Sequence, residues 1–336
     1  MAQDVKTNSA QSSSRTESVL KVRDLAETID FFTTRLGFRL EMIVPADAPQ
    51  TALVSGRGVT MRLESHPADA LSGATLEVSA GGRAFIISRM DADNVWVAGR
   101  AGMQYRDLIP GRMGGRIIAS HIRIPNGGET PDYVHYHKVR FQMIFCNAGW
   151  ARVVYEDQGP PFVLEAGDCV LQPPEIRHRV LESSPGLEVI EIGTPATHET
   201  WADHELELPT RDVLSERLFA GQRFVRHRAG EANWIPSAEG GFDVRDTGIR
   251  EATNGLATVR VLRFYSASTL PAKVDGLLFL FILRGTVRIV LRAQGVHQLH
   301  EGDSIGISSG SDYELRAEKG LEMLEVSLPE VPSALA

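Results

Sequence analysis

The chain has 336 residues, enough for two or three domains, and its 43% hydrophobic and 23% charged residues are typical of a globular protein with a sizeable core. The formal net charge of −8 argues against nucleic acid as a partner, because phosphate binding requires a basic surface. No run of about 18 apolar residues is present, so we expect no membrane span. The two cysteines, Cys146 and Cys169, form no paired motif, and we expect a cytoplasmic, reduced protein.

Residues 1–17 are polar and rich in Ser and Gln, which predicts a disordered tail. The next segment, 18–66, opens with the strand-like run SVLKVRDL. Ile29, Phe32 and Leu36 then recur at helical spacing, and Gly37 is placed to end that helix. Three short strand-like runs follow: FRLEMIV, TALVSG and VTMRLE. The pattern predicts a small α+β module with the element order βαβββ.

The string DLAETIDFFTTRLGFRL in this module resembles one module of the vicinal oxygen chelate superfamily, which includes glyoxalase and bleomycin-resistance proteins. Members of that superfamily pair two modules to form a metal cup, whereas the sequence here contains one. The resemblance would place a ligand near Glu64. Because a second module is missing, we expect the segment to have a structural role or to form a dimerisation surface.

Two later segments, 80–208 and 215–330, repeat each other. Phe85, Trp96 and Gly102 recur as Phe224, Trp234 and Gly241 at nearly constant separation, and Gly167 recurs as Gly302. Both segments consist of short apolar runs between glycine-containing turns, a pattern typical of β-structure. The chain is therefore predicted to be mostly β, with two tandem β-barrels after the small α+β module.

The first repeat contains three histidines whose arrangement suggests a metal site. His135 and His137 are separated by one residue, so on a strand both side chains point to the same face. His178 follows a Gly-Asp turn and the Pro173-Pro174 pair, on a strand that can return across the barrel. Three imidazoles in one place can share a divalent ion.

The spacing of these residues resembles the two signature motifs of the cupin superfamily. The first motif reads His135, His137, Gln142 and Gly149. The second motif reads Gly167, Pro173 and His178. The resemblance implies that each repeat is a double-sheet jelly-roll barrel, which would make the chain a bicupin.

Gln142 departs from the superfamily pattern, which usually has Glu at this position. An amide leaves a bound ion with its full positive charge, which strengthens the ion as a Lewis acid and removes a general base. Gln142 could be a metal ligand through its carbonyl oxygen or a catalytic group that orients water or substrate. The predicted site is thus His135, His137, His178 and Gln142, holding ferrous iron, with zinc, nickel or manganese as alternatives.

The second repeat lacks these ligands. The repeat register aligns His135 with Pro271, His137 with Lys273, Gln142 with Leu278 and His178 with Tyr313. None of these residues builds a divalent cation site, and Lys273 would repel the ion. The second barrel is therefore predicted to be metal-free and structural.

Three-histidine cupins that activate oxygen with ferrous iron form a known class. The resemblance to them implies a dioxygenase-type oxidoreductase acting on a small organic molecule that chelates metal through oxygen. A metal-dependent hydrolase, isomerase or lyase is an alternative, and so is a non-catalytic protein that binds a small ligand or regulates. Long edge strands favour pairing, and we expect a homodimer.

Overall fold

The computed structural model describes residues 18–65, 85–90, 96–99, 102–292 and 294–329. The chain divides into a small unit, residues 1–43 and 49–70, and a large unit, residues 44–48 and 71–336. The predicted disordered tail, residues 1–17, lies outside the described residues. Within the described ranges, no helix has the length and apolar character needed to cross a bilayer.

The small unit has the predicted βαβββ order. Its strands form a sheet in the order β1-β4-β3-β2, with β1 parallel and β3 antiparallel to β4. The helix begins after Asp24, whose side chain accepts a hydrogen bond from the Glu27 amide and so satisfies a free N–H of the first turn. Leu25 and Phe32 are the buried residues of the helical segment. The elements are β1 (Ser18–Val22), α1 (Leu25–Asp30), a π-helical turn (Phe31–Arg35), β2 (Arg39–Val44), β3 (Thr51–Gly56) and β4 (Val59–Ser65).

Within its described residues, the large unit consists of short strands and single helical turns at Arg112–Gly115, Ala229–Glu231 and Ile249–Ala252. The strands are β5 (Phe85–Ser88), β6 (Val97–Ala98), β7 (Gln104–Asp107), β8 (Ile118–Ile124), β9 (Gly128–Glu129), β10 (His135–His137), β11 (Phe141–Ala148), β12 (Trp150–Tyr155), β13 (Phe162–Glu165), β14 (Cys169–Leu171), β15 (His178–Ser183), β16 (Leu187–Thr194), β17 (Thr200–Ala202), β18 (Leu218–Phe219), β19 (Gln222–Arg223), β20 (Val225–His227), β21 (Ile235–Pro236), β22 (Phe242–Asp246), β23 (Thr258–Phe264), β24 (Ser268–Lys273), β25 (Leu277–Arg284), β26 (Thr286–Leu291), β27 (Gly295–His300), β28 (Ser304–Ser308), β29 (Asp312–Ala317) and β30 (Glu322–Leu328).

These strands build two jelly-roll barrels, each with a smaller and a larger sheet, as predicted. In the first barrel the smaller sheet has the order β17-β10-β15-β12-β13 and the larger sheet has the order β20-β14-β11-β16-β8-β7-β6. In the second barrel the smaller sheet has the order β24-β29-β26-β27 and the larger sheet has the order β5-β28-β25-β30-β23-β22-β21. The two larger sheets correspond strand for strand, so the sequence repeat is also a structural repeat.

Each repeat contributes one strand to the other barrel. Strand β5, from the first repeat, pairs with β28 of the second barrel and aligns Ile87 with Ile305. Strand β20, from the second repeat, pairs with β14 of the first barrel and aligns Arg226 with Val170. The segments 80–208 and 215–330 remain a prediction of the domain limits, and this reciprocal exchange of strands crosses both of them.

The two larger sheets share an apolar core. Phe141, Met143 and Phe145 alternate along β11 and are buried in the same cluster as Phe279 and Phe281 of β25. Their neighbours on the opposite face of each strand, such as Gln142 on β11 and Leu278 on β25, therefore face the interiors of their own barrels. Full burial of each such aromatic side chain contributes about 1.5–3 kcal/mol, so this shared core holds the two barrels together.

The interior of the second barrel is filled with apolar side chains. Leu278, Leu280 and Ile282 of β25 are buried there against Ile289 and Ile307. The repeat register is also visible in the strand pairing, because Tyr313 pairs with Leu291 as His178 pairs with Tyr155. The positions that correspond to the three histidines are occupied by Pro271, Lys273 and Tyr313, so they offer no imidazole, thiolate or carboxylate.

Candidate metal centre

Two neighbouring strands bring His135, His137 and His178 together. His135 of β10 is directly opposite His178 of β15 in an antiparallel pair. His137 lies two residues further along β10 and therefore on the same face. The ligand nitrogens of the three side chains all lie within 4.8 Å of one another, and all three residues are buried. The predicted convergence of these histidines is what the structure shows.

Hydrogen bonds at Nδ1 set the orientation of each imidazole. His135 Nδ1 lies 2.8 Å from the carbonyl oxygen of Tyr133, and His178 Nδ1 lies 3.0 Å from that of Ile176. Because a carbonyl can only accept, both Nδ1 atoms carry the proton, and the lone pair of a neutral ring is then on Nε2. His137 Nδ1 lies 2.8 Å from Thr200 Oγ1, a hydroxyl oxygen that can accept the Nδ1 proton in the same way. This arrangement is typical of histidines that bind metal through Nε2.

A short turn positions His178. Pro173 and Pro174 precede Glu175, whose backbone has a φ of 61° in the left-handed region. The Glu175 amide donates to the carbonyl oxygen of His137 at 3.1 Å, and the Ile176 amide donates to that of Pro173 at 3.2 Å. The turn is thereby tied to the strand of His137, which fixes the distance between the two ligands.

A buried carboxylate lies behind the cluster. Asp132 Oδ1 is 3.6 Å from His135 Nδ1, and Asp132 Oδ2 accepts a hydrogen bond from the Val180 amide at 3.0 Å. A negative charge near the outer nitrogen of a ligating histidine makes that histidine a stronger ligand. Three imidazoles supported in this way fit a divalent ion such as iron, zinc or nickel.

The three histidines line a cavity of about 100 Å³. This volume holds several waters or a small organic molecule. Most of the wall is apolar, including Ile118, Ile122, Ile124, Ile144, Val153, Leu164, Val180, Leu187 and Val189. The polar side chains of the wall, apart from the cluster, include Asp47, Ser120, Tyr155, Gln172, Arg179, Glu191 and His198. An apolar pocket with few polar groups is the usual form of a small-molecule site.

Gln142 is buried on β11 and is bonded to a carboxylate. Its Nε2 donates to Glu191 Oε1 on the adjacent strand β16, at a distance of 2.6 Å. Among the described residues that line the cavity, Glu191 is present and Gln142 is not. The roles proposed for Gln142, metal ligand or catalytic group, remain predictions. The structure adds Glu191, which the sequence analysis did not identify.

His198 is a second cavity residue that the sequence analysis did not identify. Its ring lies 5.7 Å from that of His137, measured between centroids, and the two are perpendicular. Its Nδ1 lies 2.9 Å from the carbonyl oxygen of Pro195 and therefore carries the proton. His198 lies between β16 and β17, outside both histidine motifs, so residue spacing alone gave no signal.

Gln172 and Tyr155 form a neutral polar pair in the cavity wall. Gln172 Nε2 donates to the Tyr155 hydroxyl oxygen at 2.9 Å. Burial raises the pKa of Tyr155 well above its ordinary value, so the hydroxyl stays protonated. The Tyr155 ring also stacks on that of His178, with centroids 5.4 Å apart.

Neither Cys146 nor His121 is among the described residues that line the cavity. Burial raises the pKa of the Cys146 thiol to about 12, so the group is neutral and belongs to the core. His121 faces the shared core, where its Nε2 lies 2.8 Å from Glu188 Oε2 and its ring contacts Phe281. Even-numbered neighbours on β8, Ser120 and Ile122, face the cavity instead.

The comparisons with known proteins agree with this architecture. The family model for the Cupin domain matches residues 120–192, which contain all three histidines. An R92A mutant of Bacillus subtilis oxalate decarboxylase OxdC is similar in structure, with a TM-score of 0.54 and 13% identity over 80% of this chain and 81% of that one. The Escherichia coli protein Ylba has a TM-score of 0.53 and 13% identity over 80% of this chain and 99% of its own.

No curated protein matches the chain in sequence. The structural similarities, at 13% identity, establish the fold alone. The family match and the three-histidine cluster together identify the first barrel as a metal-binding cupin domain. Residues 120–192 of the first barrel therefore match the Cupin domain, and the two-barrel architecture is that of a bicupin.

Proposed function

We propose that this bicupin is a metal-dependent oxidoreductase of the dioxygenase type, with ferrous iron held by His135, His137 and His178. The observation that carries the proposal is the convergence of three buried imidazoles in a largely apolar cavity. A bound ferrous ion would supply redox chemistry and Lewis acidity. The substrate would be a small organic molecule that chelates through oxygen.

The residues of the chain account for binding, orientation and exclusion of water. Neutral imidazoles leave the positive charge of the ion to attract substrate oxygens. The isoleucine, leucine and valine walls surround the substrate and keep the dielectric constant low, which strengthens each polar contact. Glu191 offers a carboxylate that can accept a hydrogen bond from a substrate hydroxyl.

We assign Gln142 a positioning role through Glu191. Its amide donor, 2.6 Å from Glu191 Oε1, fixes the position of the carboxylate. Most cupins carry a carboxylate in the first motif. Here Glu191 would supply it from β16, the strand that pairs with β11. This assignment favours the orienting role over direct ligation by the Gln142 carbonyl oxygen.

A second candidate function is a metal-dependent isomerase or lyase. The presence of Glu191 in the cavity favours it, because a carboxylate can take a proton from a substrate whose carbonyl is polarised by a metal. In that reaction the three histidines would hold the ion and oxygen would not be consumed.

Metal analysis combined with oxygen uptake separates these candidates. The protein would be loaded anaerobically with ferrous iron or with zinc and mixed with diketones, phenols and hydroxy acids. The dioxygenase proposal predicts substrate-dependent loss of oxygen with iron and none with zinc. Product formation without oxygen would support the isomerase or lyase instead. Ligand binding without any product would contradict both and indicate a binding protein.

A further inference from the structure

We propose that the cavity selects a small 2-hydroxy acid, with His198 or Gln172 as the acceptor of its single hydroxyl proton. This inference rests on the proposed function, since the acid would bind beside the metal centre. It assigns a substrate class and two specificity residues. Neither residue belongs to the histidine cluster.

His198 provides the first acceptor. It is 6% exposed and lines the cavity. Because its Nδ1 proton is donated to the Pro195 carbonyl oxygen, the neutral ring presents a lone pair on Nε2. That Nε2 atom is buried and has no hydrogen-bond partner among the described residues. Buried polar atoms are nearly always paired, so its partner is expected to come from the contents of the cavity.

Gln172 provides the second acceptor in the same wall. It is 4% exposed, and its Nε2 is used by the Tyr155 hydroxyl oxygen. Its Oε1 atom is buried without a partner among the residues that the structure describes. A carbonyl oxygen can only accept. A ligand that fills the cavity must therefore present a donor, which a hydroxyl supplies and a carboxylate or ether does not.

Among the described residues that line the cavity, Arg179 is cationic. Arg179 follows His178 on β15 and lines the cavity, and its buried Nε has no partner in the described part of the chain. A guanidinium group binds carboxylate well. A 2-hydroxy acid fits these surroundings: its carboxylate suits Arg179, its hydroxyl donates to one of the two acceptors while a water can donate to the other, and a short aliphatic group suits the apolar wall. The cavity volume of about 100 Å³ limits the ligand to a small molecule.

The test compares lactate with 2-methoxypropionate, which differ only by replacement of the hydroxyl hydrogen with methyl. Binding to zinc-loaded protein is measured by isothermal titration calorimetry, because zinc prevents oxidative turnover. Metal content is measured on the same samples. The variants are His198→Leu, His198→Gln, which keeps an acceptor, Gln172→Met, and Arg179→Met.

The wild type is expected to prefer lactate at least about tenfold, in line with a buried hydrogen bond. The variant that removes the acceptor in use, His198→Leu or Gln172→Met, should reduce that preference to about threefold or less, and His198→Gln should keep it near the wild-type value. Arg179→Met should weaken both acids equally and leave the preference unchanged. All variants should retain zinc.

Two results would overturn the proposal. A zinc-loaded wild type without preference for lactate would refute the substrate class, and an unchanged preference in both His198→Leu and Gln172→Met would refute the residue assignment. Either result leaves the metal centre intact. A wild type that takes up no zinc would instead refute the proposed function, and the inference with it.

Discussion

The Gln142 amide nitrogen lies 2.6 Å from Glu191 Oε1, across the paired strands β11 and β16. In this pairing Ile144 is directly opposite Glu191 and Gln142 is opposite Gly193, so the two side chains meet diagonally on the inner face of the barrel. The cavity therefore contains a carboxylate although the first motif has an amide.

Exchange of these two residues tests their coupling. Gln142→Glu places two carboxylates within hydrogen-bond distance, so one pKa should rise and the free energy of unfolding should fall by about 1–3 kcal/mol at neutral pH. The loss should diminish as the pH falls, because the raised group takes up a proton in the folded state first. Urea unfolding at pH 7.5 and pH 5 measures both effects.

The double variant Gln142→Glu/Glu191→Gln is the control for that experiment. It reverses the amide and the carboxylate, and we expect it to recover most of the lost stability. If the loss of stability in the double variant equals or exceeds the summed losses of Gln142→Glu and Glu191→Gln, the two side chains do not interact as described.

Thr200 should contribute to metal affinity without touching the metal. Its Oγ1 lies 2.8 Å from His137 Nδ1, and the residue is 1% exposed on β17. Thr200→Val keeps the shape but removes the acceptor, so metal affinity should fall about 10–100-fold. Thr200→Ser keeps the hydroxyl and should stay near the wild type. Competition with a chromophoric chelator measures the affinity, and equal values for the Val and Ser variants would show that the hydrogen bond is unimportant.

Arg106 connects the two barrels from a buried position. It is 1% exposed, and its Nη2 donates to the carbonyl oxygen of Gly302 at 2.6 Å and lies 3.2 Å from His121 Nδ1. Arg245, its counterpart in the repeat, donates to the carbonyl oxygen of Gly167 at 3.1 Å. Arg106→Met should cost about 1–3 kcal/mol of unfolding free energy, because it leaves buried acceptors unpaired.

Chemical denaturation measures the cost of Arg106→Met, and the exposed Arg292→Met is the matched control. Metal content should be unchanged in both variants. An Arg106→Met protein as stable as the control would show that this contact does not hold the barrels together.

The large unit should become less stable as the pH is lowered, because of His227 on the exchanged strand β20. Burial, followed by the charge of Arg245, lowers the pKa of His227. The unfolded chain then binds a proton near the ordinary histidine pKa of about 6.5, while the folded chain resists it. The contribution is present above that pH and is lost as the pH falls towards the folded-state pKa.

His227→Asn removes this titration. Thermal unfolding of metal-free protein between pH 7.5 and pH 5 should show a smaller decline in Tm for the variant than for the wild type. The histidine cluster is the same in both proteins, so any effect it has on stability cancels in the difference. A difference that does not change with pH would contradict the assignment.

The histidine cluster was predictable because two of its members are separated by one residue on a strand, and therefore share a face, and because the third follows a recognisable turn. Three other residues of the site were not predictable, because no motif sets their spacing: Glu191 is on β16, Thr200 is on β17 and His198 is in the connection between these strands. The sequence also did not show which side chains of β11 face the barrel interior. Phe141 and Met143 enter the core between the barrels while Gln142 and Ile144 face inward, and a strand buried on both faces shows no polar alternation.

The strand exchange could not be read from the repeat either. Phe85 and Phe224 occupy equivalent places in the two repeats, so the sequence assigns the strands near them to their own repeats. In the structure β5 and β20 each extend the larger sheet of the opposite barrel. Which edge a short strand joins depends on unpaired backbone groups at that edge, and these are invisible to residue patterns.

The most direct test of the account is the metal content of wild type, His137→Ala and His300→Ala after loading with ferrous iron under anaerobic conditions and desalting. His300 is exposed in the second barrel and serves as the control. We predict one ion per chain in the wild type and in His300→Ala, and almost none in His137→Ala, with all three proteins folded. Equal metal content in His137→Ala and the wild type would contradict the three-histidine centre.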